Sequence, residues 1–420
     1  MKTTINKSDI KGSVSAPPSK SLTIRALVCA ALAGGESEIA NPLISDDTNA
    51  AASVLTQLGA LVKKDKGVWK VTGGNLHAAS KDLHCGDSAA TLRFIAAVCS
   101  TIPGKHRLVG GASLIKRPVG ALVDALKQLG VKVSASPSGT PPVVIEGGAL
   151  QGGEAQIPGD VSSQFISALL LAAPLSQNGV TVKLTTPLTS RPYIDMTLWC
   201  LNQFGIDIKT KKESFIIKPQ KYAPAKIAIE GDWSSASYFL ALGALSKEGV
   251  TVGNLNPSSL QGDRALLDFL RRMGAIVRVK GTDVTVRRDF LKGINADVTD
   301  CIDLLPTLAA LAALANGRTE LKGIRQARVK ESDRVIAMCK SLEKLNIYVD
   351  ESGNSMTIIG GLSQIESQTV INSFNDHRIA MAFSIIGAAS GNIVIDGAEC
   401  VAKTFPSYWD EFKKIGGEVK

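Results

Sequence analysis

The sequence predicts an α/β fold built from six copies of one helix-and-strand unit, in two groups of three. Three observations predict it. A helix tail of the form Leu-Gly-apolar recurs about every 70 residues, at Leu58-Gly59-Ala60, Leu129-Gly130-Val131, Phe204-Gly205-Ile206 and Met273-Gly274-Ala275. It continues, weakened, at Leu345-Asn346-Ile347 and Ile415-Gly416-Gly417. Gly or Asn there is the left-handed residue that ends a helix. Alternating segments follow the tails and read as strands, at 131–133, 206–209 and 276–279. Each unit also carries an earlier helix rich in small apolar residues. The period is too long for the common solenoids.

In chain order, the first unit opens on Pro17-Pro18-Ser19-Lys20-Ser21-Leu22-Thr23-Ile24-Arg25. The prolines favour an extended entry, and Ser19 or Ser21 can cap a helix whose apolar run begins at Leu22. Lys20 stands at the helix start, where unbonded amides and the dipole favour an anion. Ser21 and Arg25, four apart, share a face. The stretch offers a hydroxyl, two cations and free amides to one anionic ligand; it reads equally well as an ordinary capped helix with a solvated Lys and Arg.

The small-residue helices fall at 27–33, 91–98, 165–173, 238–245, 308–315 and 379–386. They are apolar nearly all round and belong in the interior, whereas the helices ending in Leu-Gly are amphipathic. Polar residues lead the small-residue helices: Ser19-Lys20-Ser21, Ser88, Ser162-Ser163-Gln164, Ser234-Ser235, Asp303 and Asp376-His377-Arg378. Gly159-Asp160-Val161-Ser162-Ser163 and Gly231-Asp232-Trp233-Ser234-Ser235 are near copies. Any one such start reads as capping. If equivalent helices point the same way, their N-termini converge and several dipoles address one anion.

Composition narrows the function. At 420 residues the chain suits two or three domains. No apolar run approaches the roughly 18 residues of a membrane span, and the first residues lack the apolar core of a signal peptide. Seven cysteines without a CxxC pair point to free thiols in a reducing cytoplasm. Four histidines show no ligand spacing, so no metal is expected. The net charge of +9 fits a nucleic-acid binder or an enzyme for anionic small molecules. Aromatic residues are only 5% and the basic residues are dispersed, which favours the enzyme.

Seven motifs then stand in one order: Pro18-Ser19-Lys20-Ser21…Arg25, Lys116-Arg117-Pro118, Ser162-Ser163-Gln164, Ser190-Arg191-Pro192-Tyr193, Arg328-Val329-Lys330-Glu331-Ser332-Asp333-Arg334, Asn375-Asp376-His377-Arg378 and Lys403-Thr404-Phe405-Pro406. With them the chain resembles the enolpyruvyl transferase family, and within it the shikimate 3-phosphate branch. The resemblance implies two similar domains, each of three βαβαββ units around buried helices (an inside-out α/β barrel), with the active site in the cleft between them. It sets the domains at 1–16 with 232–420, and at 17–231. It implies transfer of the enolpyruvyl group of phosphoenolpyruvate to the 5-hydroxyl of shikimate 3-phosphate by a cytoplasmic monomer. No cofactor, metal, nucleic acid or membrane takes part.

Residue by residue, the resemblance assigns Lys20, Ser21, Arg25, Ser162, Ser163, Gln164, Ser190, Tyr193, Asp303, Gln326 and Lys330 to shikimate 3-phosphate. Gln326 stands where the family usually has Asn. It assigns Lys20, Ala89, Arg117, Gln164, Arg334, Arg378 and Lys403 to phosphoenolpyruvate. Arg suits bidentate holding of carboxylate and phosphate, and Lys is a movable point charge. Asp303 is the base candidate for the hydroxyl and Glu331 the acid for the methylene carbon, with Lys20 assisting phosphate departure. His377 orients neighbours or relays a proton; a structural histidine at a helix start is the other reading. Taken alone, Lys330-Glu331…Arg334 reads as a solvated helix face.

The chain departs from the family at Gly86-Asp87-Ser88-Ala89-Ala90-Thr91-Leu92-Arg93, where the common form is Gly-Asn-Ala-Gly-Thr-Ala-Met-Arg. A methyl at Ala89 intrudes where Gly allows close approach, so the expectation is that phosphoenolpyruvate fits and the longer inhibitor glyphosate is disfavoured. Asp87 adds a negative charge near an anion site. The rival within the family is the UDP-N-acetylglucosamine branch, which carries a cysteine in the loop here reading Gly111-Ala112-Ser113-Leu114-Ile115-Lys116-Arg117-Pro118. The rival from another class is a non-catalytic polyanion- or RNA-binding module.

Overall fold

Six amphipathic helices end where the glycine pattern placed them. In the computed structural model, which describes residues 1–148 and 150–420, these are Asp46–Gln57, Gly120–Gln128, Arg191–Gln203, Leu266–Met273, Arg334–Glu343 and Tyr408–Lys414. The residues just beyond them (Gly59, Gly130, Gly205, Gly274, Asn346 and Gly416) all have positive φ, from 56° to 103°. That conformation is nearly free of cost for Gly and tolerable for Asn. The small-residue helices are Lys20–Leu32, Ala89–Cys99, Ser163–Ala172, Trp233–Leu245, Leu305–Leu314 and His377–Ser390. Their residues are buried on every side, as apolarity all round requires.

The chain divides into two compact units, residues 18–229 and residues 1–17 with 230–420. Each has its own apolar core. In the 18–229 unit, three sheets of four strands accompany three buried helices, which pack on one another and on the sheets. Each sheet follows one plan: two parallel strands, then an antiparallel hairpin joined on. Gly153–Ile157 runs parallel to Val180–Leu184, which pairs antiparallel with Ser214–Ile217, itself paired with Lys209–Lys211. The first sheet is completed from the far end of the unit, where Lys226–Ala228 lies parallel to Gly35–Ala40. The other unit repeats the plan in two of its sheets, and its third has three strands. Gly12–Ser15 lies parallel to Val250–Gly253, and Lys2–Ile5 closes the last sheet antiparallel to Ile393–Asp396. No helix among the described residues is long and apolar enough to cross a membrane.

Two local expectations change. The alternation at 206–209 becomes a strand only from Lys209. Its backbone is diverted by one side chain: Asp207 N–H donates to Gln220 Oε1, and Gln220 Nε2 donates back to the Asp207 carbonyl, both at 2.9 Å. The two near-copy helix starts also differ. Asp232 caps its helix, accepting from the Ser235 amide at 2.7 Å. Asp160 instead accepts from Thr186 Oγ1 at 2.7 Å, and the cap passes to Ser162.

Candidate active site

In the 18–229 unit, Ser19 occupies the N-cap of the first buried helix, yet its hydroxyl makes no capping bond. Lys20, the first helical residue, sets its Nζ 2.8 Å from Asp47 Oδ2, with both side chains largely buried. Arg25 is 2% exposed. Its Nε donates to Thr197 Oγ1 at 2.8 Å, Nη1 to the Ser21 carbonyl at 2.9 Å, and Nη2 to the Tyr193 carbonyl at 3.2 Å and Ser167 Oγ at 3.5 Å. The guanidinium lies 5.2 Å from the centre of the Phe94 ring. All these partners are neutral, so burial dominates and lowers Arg25 to about 10. A charge buried among neutral dipoles favours an incoming anion.

Arg93 does the same on the second buried helix. Its Nη1 donates to Gln164 Oε1 at 2.7 Å and Ser162 Oγ at 3.4 Å, and Nη2 to the Pro118 carbonyl at 2.9 Å. The group rests 4.6 Å over the Phe165 ring. It thus ties the Ser162-Ser163-Gln164 helix start to the segment bearing Arg117. Asp87 organises that segment: its Oδ1 accepts from the amides of Ser113 at 3.1 Å and Leu114 at 3.2 Å, at the turn Leu114–Lys116. The extra negative charge seen in the sequence therefore meets loop amides. A Cβ on Gly111 would stand 2.6 Å from Asp87 Oδ1, so the loop runs close against the carboxylate. Arg117 follows the turn and is buried, as is Ala89, the first residue of its helix. Ser190 occupies the N-cap position of the helix carrying Tyr193 in a left-handed conformation, φ 55°.

In the other unit a carboxylate and cation lattice surrounds Arg334, whose side chain is 1% exposed. Its Nη1 lies 2.7 Å from Asp303 Oδ1, Nη2 2.6 Å from Glu331 Oε2, and Nε 2.8 Å from Asp376 Oδ2. Burial lowers its pKa, but Asp376, Glu331 and Asp303 outweigh that, and the net shift is upward. Asp303 also pairs with Lys330 Nζ and Arg378 Nη2, each at 3.2 Å. Asp376 caps the sixth buried helix, accepting from the Arg378 amide at 2.9 Å, and accepts from Ser332 Oγ at 3.0 Å. His377 is buried, its Nδ1 3.8 Å from Asp376 Oδ1. Lys403 Nζ donates to the Asn375 carbonyl at 2.9 Å. Gln326 is buried in the turn Arg325–Val329. The helix starts converge here: Ser237 Oγ and Thr307 Oγ1, each in the first turns of its helix, are 2.8 Å apart.

The solvated helix face therefore does not form. The helix begins only at Arg334, so Lys330 and Glu331 precede it, and Arg334 faces inward onto three carboxylates. The candidates fall into two sets. Lys20, Ser21, Arg25, Ala89, Arg117, Ser162, Ser163, Gln164, Ser190 and Tyr193 lie in one unit; Asp303, Gln326, Lys330, Glu331, Arg334, His377, Arg378 and Lys403 lie in the other. Sequence reasoning did not assign Asp47, Arg93, Ser167, Thr197 or Asp263, nor Tyr238, whose hydroxyl accepts from Arg378 Nη1 at 3.4 Å. The one available signal was Arg93, a lone cation within an apolar helix, whose interior burial demands partners.

The chain matches the family model described as EPSP synthase (3-phosphoshikimate 1-carboxyvinyltransferase) over residues 5–412. The chain belongs to the EPSP synthase family. It is 44% identical to a 3-phosphoshikimate 1-carboxyvinyltransferase of Dehalococcoides mccartyi, over 100% of this chain and 99% of that one. It is 39% identical to the protein of that name from Methanocaldococcus jannaschii, over 99% and 98%. Among solved structures it is similar to EPSP synthase from Acinetobacter baumannii, with TM-score 0.82, 28% identity, and coverage of 100% and 99%. It shares the fold of the enolpyruvyl transferase NikO from Streptomyces tendae, with TM-score 0.80 at 18% identity and coverage of 100% and 98%. The two-unit α/β architecture is thus that of the EPSP synthase family.

Proposed function

We propose that the chain transfers the enolpyruvyl group of phosphoenolpyruvate to the 5-hydroxyl of shikimate 3-phosphate, releasing inorganic phosphate through a tetrahedral intermediate. The observation that carries this reading is the Arg334 guanidinium holding Asp303 and Glu331 on its two Nη arms, at 2.7 and 2.6 Å. One cation thereby keeps two carboxylates close to one another and in fixed orientation.

In this reading Asp303 takes the proton of the 5-hydroxyl as its oxygen bonds to C2 of phosphoenolpyruvate. Glu331 delivers a proton to C3, giving the tetrahedral adduct. Glu331, now a carboxylate, takes back a C3 proton as the C2–O bond to phosphate breaks, which restores the double bond, with Lys20 neutralising the departing phosphate. Arg25, the buried cation with neutral partners, takes the carboxylate of shikimate 3-phosphate, and the amides and hydroxyls at Ser162, Ser163 and Ser190 take its phosphate. Arg117, Arg334, Arg378 and Lys403 hold phosphoenolpyruvate. The enzyme acts as a monomer in the cytoplasm, which light scattering and fractionation of the source cells read directly. Ala89 makes it glyphosate-insensitive, because its methyl fills space that Gly leaves to the longer inhibitor.

The test is phosphate release with both substrates, repeated with Asp303→Ala and Glu331→Ala. Each variant should lose about 10²- to 10⁴-fold in kcat while still binding shikimate 3-phosphate. Undiminished turnover in both removes the acid–base assignment; absent turnover in the unmodified protein removes the reading itself.

A further inference from the structure

Asp263 belongs to none of the roles above, yet it lies beside the Asp303 cluster. It sits in the short turn Gly262–Ala265 and is 4% exposed. One carboxyl oxygen, Oδ2, accepts a hydrogen bond from Ser234 Oγ, at the start of the fourth buried helix. The other, Oδ1, is buried and receives no hydrogen bond from any described residue. A buried carboxylate left with one neutral donor is costly; a buried carboxylic acid with the same donor is not. The charged groups acting on it are Asp303, Arg378 and Asp232, and the Cys301 thiol lies within reach. Of these only Arg378 favours its ionisation, and Arg378 already contacts Asp303 Oδ2 at 3.2 Å.

We propose that Asp263 is a positioning residue: it holds a proton behind the Asp303–Arg378 pair, and its ionisation draws Arg378 away from the anionic substrate. The inference rests on the functional reading above, which gives Arg378 to phosphoenolpyruvate. Asp303 has three cations at hand and stays ionised, whereas Asp263 has none to itself and keeps its proton. Two carboxylates sharing a dry site do not both ionise readily. Consistent with this, burial first and Asp303 second push Asp263 up to about 7, with Arg378 and Ser234 opposing. Near neutral pH its charge is therefore in play.

The experiment is the pH dependence of KM for phosphoenolpyruvate in Asp263→Asn, whose amide is neutral at every pH. From pH 6 to 8.5 the unmodified protein should show KM rising about tenfold as Asp263 ionises, and D263N should show no such rise. KM for shikimate 3-phosphate should not follow this pattern in either protein. Ser234→Ala removes the hydrogen bond that favours ionisation, so it should move the rise to higher pH. Superimposable KM profiles for D263N and the unmodified protein overturn the proposal, as does a shift to lower pH in S234A.

Thermal stability gives a readout independent of turnover. A carboxyl raised by folding stabilises below its unfolded value near 3.9 and loses that contribution as pH rises through about 7. The Tm of the unmodified protein should therefore fall relative to D263N between pH 5 and 8, and parallel Tm curves overturn the proposal. A relative fall in Tm in a protein without transferase activity leaves the buried proton standing and removes only the functional reading.

Discussion

Arg25→Met separates two roles that usually travel together, support of the fold and binding of substrate. Burial lowers the Arg25 guanidinium from its ordinary value to about 10, which at about 1.4 kcal/mol per tenfold is roughly 3 kcal/mol opposing the folded state. Against this stand its hydrogen bonds to Thr197, Ser167 and the carbonyls of Ser21 and Tyr193, each contributing about 1 kcal/mol net. Those partners do not become orphans when Arg25 goes. Ser167 Oγ and Thr197 Oγ1 are 2.8 Å apart, and Thr197 Oγ1 donates to the Tyr193 carbonyl at 2.9 Å. Methionine fills much of the space over Phe94. The two sides nearly cancel, and R25M should melt within about 5 °C of the unmodified protein. The same change removes the charge-assisted bonds proposed for the carboxylate of shikimate 3-phosphate, about 3 kcal/mol or two orders of magnitude in kcat/KM. Differential scanning fluorimetry with and without shikimate 3-phosphate, beside initial rates, reads both quantities; the ligand-induced rise in Tm should vanish in R25M. A drop of 10 °C or more with an unaltered KM for shikimate 3-phosphate would show Arg25 to be a structural group, and the reasoning would fail.

Arg334→Met should behave in the opposite way. It strands Asp303, Glu331 and Asp376 without their common cation, so its urea midpoint should fall by the equivalent of about 3–5 kcal/mol; an unmoved midpoint would contradict the burial of that charge. Asp87→Ala releases the amides of Ser113 and Leu114, and KM for phosphoenolpyruvate should rise about tenfold with little change for shikimate 3-phosphate. Steady-state kinetics with each substrate varied in turn check that selectivity. Ala89→Gly removes a methyl at the start of its helix, and glyphosate should then inhibit at a concentration at least about tenfold lower; equal inhibition of both proteins would remove Ala89 as the determinant.

The sequence alone determined the six-fold repeat, because its signals are local. A helix that must stop in a left-handed residue declares it with Gly59, Gly130, Gly205, Gly274, Asn346 and Gly416, and an all-round apolar helix such as Trp233–Leu245 can lie only in an interior. The family motifs were legible for the same reason, since each is a short run of residues. What the tertiary structure decided is where charges meet. Nothing near Arg334 in the chain announces that Asp303, 31 residues earlier, and Asp376, 42 residues later, will share its guanidinium. Nothing around Lys20 names Asp47, and nothing around Asp263 shows its proximity to Asp303. Some of these partners share a unit of the repeat, as Lys20 and Asp47 do, and others, as Asp376 and Arg334, come from different ones; in each case they lie on or cap different helices. Electrostatic energy depends on distance through space and on exclusion of water, and neither is set until the helices pack with their N-terminal ends together.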